Sequence, residues 1–94
     1  MVLTIPSVSK EYLHIPVTGG SVSTPVEIAV INASTEEPAE ADWRPADEWD
    51  GTTAKLLIGP GGTLELEDGT YRVWVRVTAN PEIPVIRSGL LEVT

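Results

Sequence analysis

Cysteine and phenylalanine are absent from this chain, and histidine occurs once, as His14. Without thiols there is no disulfide, no thiolate metal site and no cysteine nucleophile, which fits a reducing interior or a particle assembled there, although cysteine-free extracellular domains share the property. A lone histidine leaves little room for acid–base chemistry. In Glu11-Tyr12-Leu13-His14-Ile15-Pro16 it would need a nucleophile and an orienting carboxylate from distant segments, so it reads as a surface or interface side chain. No serine sits in a Gly-x-Ser-x-Gly elbow. Gly59-Pro60-Gly61-Gly62 is followed by no Lys-Ser/Thr pair and leads into a strand-like stretch, so it is a turn and not a phosphate cradle. With phenylalanine missing, the core falls mostly to Val, Ile and Leu, with Trp43, Trp49, Trp74, Tyr12 and Tyr71 as the larger pieces. Such β-branched residues favour pleated surfaces.

Positive charge is also scarce. Six basic residues stand against fourteen acidic ones, a formal charge of −8 that repels nucleic acid and anionic membranes. Arg72, Arg76 and Arg87 are the one candidate for a local basic patch. No apolar run approaches bilayer length, and Met1-Val2-Leu3-Thr4-Ile5-Pro6 lacks the basic and apolar regions of a signal peptide, so the expectation is a soluble, unexported polypeptide. Ninety-four residues suffice for one domain, 1–94, around a single thin core.

What is present is alternation. Tyr71, Val73, Val75 and Val77 fall on one side of a period-2 element, and Arg72, Trp74, Arg76 and Thr78 on the other. One face belongs to a core and the other carries cations around an indole. Leu3 to Ile5, Tyr12 to Val17, Val26 to Ile31, Thr53 to Ile58, Thr63 to Glu67 and Val85 to Thr94 are further strand candidates, separated by turn signals. In Val26–Ile31, Val26, Ile28 and Val30 face the core and Glu27 faces solvent. The expected fold is all-β: an immunoglobulin-like antiparallel β-sandwich of about seven short strands. Two local readings compete around Gly69-Thr70-Tyr71-Arg72-Val73. Asp68-Gly69 signals a tight hairpin joining Thr63–Glu67 to the next strand. Alternatively, Tyr71 bonds backbone at a corner between sheets, and Val73 takes the place of the usual disulfide cysteine.

Residues 33–51 form an acidic, tryptophan-containing connection that holds Glu36, Glu37, Glu40, Asp42, Asp47, Glu48 and Asp50. Trp43 and Trp49 argue against simple disorder. The spacing admits a helical turn around Pro45–Trp49; a plainer reading folds both indoles back over the open edge of the core. Paired carboxylates near indoles suit glycoside hydrolysis, but a sandwich this small has little depth to desolvate a general acid. Asp47, Glu48 and Asp50 are oxygen ligands of a kind calcium accepts, yet the spacing matches no EF-hand loop, and a solvated acidic loop is preferred. No catalytic residue, cofactor or metal is assigned.

The residues left for function are those of an interface. Arg72 and Arg76 around Trp74 combine cation–π contact with bidentate donors, as protein interfaces do; the alternative makes Trp74 a second core face crossed by arginine stems. Trp43, Trp49 and Arg87 complete the candidate set, and the acidic segment 36–50 offers a complementary surface to a neighbouring subunit's cations. Leu57-Ile58-Gly59-Pro60-Gly61-Gly62, the run Leu66 to Thr78 and Asn80-Pro81-Glu82-Ile83-Pro84-Val85 resemble small virion structural proteins of actinobacterial tailed phages. That resemblance, over about the last 45 residues, implies an immunoglobulin-like module for head decoration, neck or tail. It implies partners among other virion proteins or further copies of the chain, a place in the virion after assembly in the host cytoplasm, and no nucleic acid, membrane or catalytic residue. The alternative is a module for carbohydrate or a cell surface, with Trp43 and Trp49 as its platform.

Overall fold

A computed structural model describes residues 2–94. Eight strands follow in order: β1 (Val2–Ile5), β2 (Glu11–Pro16), β3 (Val26–Asn32), β4 (Arg44–Pro45), β5 (Glu48–Trp49), β6 (Thr53–Ile58), β7 (Gly69–Val77) and β8 (Val85–Val93). They form two sheets, a five-stranded one in the order β1-β8-β7-β3-β4 and a three-stranded one in the order β2-β6-β5. The all-β, two-sheet expectation holds. The expectation of purely antiparallel pairing needs correction, because β1 runs parallel to β8 (Val2 opposite Leu90, Ile5 opposite Val93). These strands come from opposite ends of the chain, so no short loop forces them antiparallel.

The inward faces supply an aliphatic core: Leu13 and Ile15 from β2, Ile28 from β3, Leu56 and Ile58 from β6, Val73, Val75 and Val77 from β7, Leu91 and Val93 from β8. No polar or charged residue is buried among the described residues. The Tyr71–Val77 alternation therefore lies as the sequence implies, with the three valines inward. β3 departs from its one-sided reading. Ala29 and Ile31 share the outer face with Trp74 and Arg72 by register, yet they are buried as well.

The segment after β6 resolves the two readings of Tyr71. Residues 63–67 do not form a ladder strand; Leu64 makes a single parallel bridge to Ile58. Half-buried Leu64 and Leu66 pack against the core from the end of the sandwich. Their alternation reports one-sided burial, and it was pairing that the hairpin reading inferred from it. The chain then crosses to the other sheet, and the Tyr71 hydroxyl donates to the Glu67 carbonyl at 2.7 Å. This is the corner arrangement. Removing that donor in Tyr71→Phe is expected to cost about 1 kcal/mol in urea unfolding while leaving the circular dichroism spectrum unchanged.

The acidic connection is ordered by backbone pairing. A 3-10 turn lies at Glu40–Asp42, earlier than the helical turn expected near Pro45–Trp49, where the chain is extended. β4 adds to the β3 edge of one sheet and β5 to the β6 edge of the other, so residues 44–49 pass from sheet to sheet across the open side. Two of the connection's carboxylates, Asp47 and Asp50, serve the backbone. Asp47 Oδ2 accepts from the Leu57 amide and the Thr63 hydroxyl, each at 2.7 Å, capping β6 beyond the end of short β5. Asp50 Oδ1 accepts from the Thr52 amide, the Thr52 hydroxyl and the Thr53 amide at 2.8, 2.9 and 2.7 Å.

Those amide bonds, Thr52 first and Thr53 next, hold the Asp50 carboxyl below the ordinary aspartate range. A depressed folded-state pKa adds stability that is complete above the unfolded value and is lost as pH falls through about 4 and below. Asp50→Asn is therefore expected to flatten the acid limb of a pH-dependent thermal melt. An unchanged acid limb in the variant would remove Asp50 from the account.

Candidate interaction surface

Antiparallel register sets the site. On the outer face of the five-stranded sheet, Arg76 stands opposite Glu27 of β3 and Val85 of β8, and Trp74 stands opposite Ala29 and Arg87. Cross-strand neighbours of this kind touch directly. Arg76 reaches Glu27 Oε1 through Nε at 2.9 Å and Nη2 at 2.8 Å, and its Nη1 reaches Glu40 Oε2 at 2.8 Å. Bonding to Glu40 and to Glu27 raises the guanidinium pKa further. Its Cζ also lies 4.7 Å from the centre of the Trp43 ring, a cation–π distance.

One arginine thus fastens the segment at Glu40 and Trp43 to the sheet face as a strap. Two parts of the sequence reading change here. The guanidinium of Arg76 stacks on Trp43, where Trp74 was expected, and it meets carboxylates of its own chain, where those of a neighbouring subunit were expected. Register explains both, because a strand period shows which residues share a face but not which strand lies opposite. Arg76→Ala is expected to red-shift tryptophan emission and to speed proteolysis within 33–43, with β7 still protected from hydrogen exchange.

The other candidates separate into two groups. Arg72 donates to the Ser88 carbonyl at 3.2 Å beside a β-bulge, where the β7–β8 register shifts between Arg72 and Trp74. Arg87 is exposed on β8. Trp43, Arg72, Trp74, Arg76 and Arg87 therefore share one sheet face. Trp49 lies apart on β5 of the other sheet, with its indole N–H donating to the Ser21 carbonyl at 2.8 Å. Gly20 makes room for that ring, since a Cβ there would come within 2.8 Å of Trp49 Cζ2. Trp49 packs against the core, so the pairing of Trp43 with Trp49 as one platform does not occur.

Between strap and sheet lies an open cleft of ≈380 Å³ lined by Glu37, Pro38, Trp43, Trp74 and Val85. Val85, which lines it, is 50% exposed, and its chain neighbours Ile83 and Ile86 are 52% and 43% exposed; by register Val85 shares the outer face with Arg76, whereas Ile86 lies on the face of Val75. Trp74, a wall of the cleft, keeps its indole Nε1 buried with no acceptor among the described residues. The sequence reading passed over these residues. Their signal was Ile83-Pro84-Val85-Ile86, an apolar run that begins before the strand does. A second, narrow opening between β1, β2 and β8 is lined by Leu3, Leu13, His14 and Leu90, among others. His14 is exposed and makes no hydrogen bond or ion pair among the described residues.

No group of three or more His, Asp or Glu suited to a metal ion occurs among the described residues, and no helix there is long and apolar enough to cross a membrane. Comparison of the chain with family models, with curated proteins and with solved structures finds no match.

Proposed function

We propose that this chain is a non-enzymatic module with immunoglobulin-like strand order that acts through protein–protein contacts as a structural component of a tailed-phage particle. The observation that carries the contact reading is the exposure of Ile83 and Val85 at the start of β8, with Val85 lining the Trp74 cleft. Aliphatic residues exposed beside a half-buried indole and an arginine have the composition of a protein contact, not of a solvated sheet face.

Strand order supports the finer fold reading. Taking β2, β3, β4, β5, β6, β7 and β8 as strands B, C, C′, D, E, F and G puts B, E and D in one sheet and C′, C, F and G in the other. β1 then lies beside G. The Tyr71 bond to Glu67 falls at the start of F, and buried Val73 two residues later occupies the cysteine position. The non-enzymatic reading draws on the purely aliphatic core and the exposed single histidine, which provide no desolvated acid or base. The virion assignment rests on the resemblance in residues 57–85.

The test is co-purification. The chain is expected in density-gradient-purified particles of the phage that encodes it, and an Ile83→Glu, Val85→Glu double variant, at half-exposed positions, is expected to leave the particle fraction while keeping its melting temperature. Absence of the unaltered chain from purified particles overturns the virion reading, and full retention of the double variant overturns these residues as its contact.

A further inference from the structure

We propose that the strap cleft binds an extended, proline-containing, cationic segment of a partner protein; the inference rests on the protein-binding reading and names the partner's chemistry. Four of the five residues lining the cleft, Pro38, Trp43, Trp74 and Val85, have apolar or aromatic side chains, and the fifth is the exposed carboxylate Glu37. An extended prolyl segment suits two neighbouring indoles. Its rings are apolar, its backbone lacks N–H donors, and its carbonyls are unbonded in the polyproline II form. Aromatic-lined grooves recognise such segments by packing rings on rings and donating to a carbonyl.

The donor here is the Trp74 indole N–H, which is buried without an acceptor. An unpaired buried donor is costly, so an acceptor brought against Trp74 recovers stability that the free chain lacks. Because Nε1 is covered in the free chain, binding there entails a small shift of the cleft wall, and the strap side of that wall is held to the sheet in part by the Arg76–Glu40 pair, with Glu40 80% exposed. Charge selects the rest of the ligand. Glu36 and Glu37 are exposed and enter no ion pair among the described residues, in a chain of net charge −8. Arg87 stands opposite Trp74 on β8, so the ligand's cations belong on the strap side. Three residues per turn in polyproline II align every third side chain, which places a Pro-Pro-Arg repeat with its arginines along one edge.

The experiment is a titration of the whole chain with a peptide of three Pro-Pro-Arg repeats, read from the three tryptophan indole N–H resonances. The Trp74 and Trp43 signals are expected to move and saturate while Trp49 stays still. The same peptide with alanine for proline is expected to bind about tenfold more weakly, as is the original peptide to Glu37→Lys, an exposed substitution with unchanged melting. No movement of Trp74 at millimolar peptide overturns the inference. Equal binding of the alanine peptide overturns it in favour of charge alone, and movement with chito- or cello-oligosaccharide in place of the prolyl peptide overturns it in favour of a glycan. Particle co-purification separates the two levels: a chain found in particles but indifferent to the peptide loses only the cleft, whereas a chain that binds the peptide but is absent from particles loses only the virion assignment.

Discussion

Gly59→Ala is expected to lose about 4 kcal/mol of stability, the sum of backbone strain and overpacking at about 1–3 kcal/mol each. Gly59 follows β6 and opens the turn over residues 59–62 with φ +113°, a region unfavourable to any residue with a side chain. An added Cβ would collide with the Ser9 carbonyl oxygen and approach Lys10 Cα to 2.9 Å, both of them backbone atoms that cannot rotate away. Ser9 and Lys10 lead directly into β2, whose first pair with β6 is Glu11 opposite Ile58. The substitution thus pushes β2 off the sheet at the point where their pairing begins. Gly19→Ala is the control. Gly19 also has positive φ, +88°, but a Cβ there meets nothing within 4 Å, so strain alone of about 1 kcal/mol is expected. Equal urea midpoints for the two variants would show that the close approach of Gly59 to Ser9 is not a feature of the folded chain.

Leu56→Ala is expected to cost about 3 kcal/mol, within the 2–5 kcal/mol range for emptying a buried leucine site. Leu56 has no solvent exposure and sits in the middle strand of the three-stranded sheet, opposite Leu13 of β2. β2 and short β5 flank it, so little structure is positioned to collapse into the space. A domain of this length has about 5–14 kcal/mol in total, so the loss is a large part of its stability. Leu57 points to the other face and is half-buried. Leu57→Ala is expected to cost about 1 kcal/mol, because less apolar area leaves water there. Differential scanning calorimetry of the pair decides it: similar melting temperatures would contradict the assigned facing of β6.

The inward face of β7 was legible in the sequence because a period of two is a property of the single strand. The burial of Ala29 and Ile31 was not, because the period of a strand does not report what covers its outer face. Trp43, Trp74 and the arginines were identifiable as interface types by residue chemistry. Which arginine met which indole depended on register, and Arg76 met Trp43 because Glu27 and Glu40 drew its guanidinium toward the strap. The apolar run Ile83–Ile86 was visible, but its exposure followed from pairing: β1 covers β8 only from Leu90 to Val93, which leaves the first residues of β8 at an open edge.

By itself, then, the sequence determined the all-β class, the aliphatic core, the inward face of β7 and the lack of thiol chemistry. Each of these follows from side-chain type and short-range period, which act within a few residues. Tertiary structure alone decided the parallel placing of β1 beside β8, the corner at Tyr71 over the hairpin, the transfer of residues 44–49 between sheets and the joining of Trp43 and Trp74 in one cleft. Those outcomes are set by contacts between segments far apart in the chain, whose energies depend on which backbone edges and carboxylates meet in space.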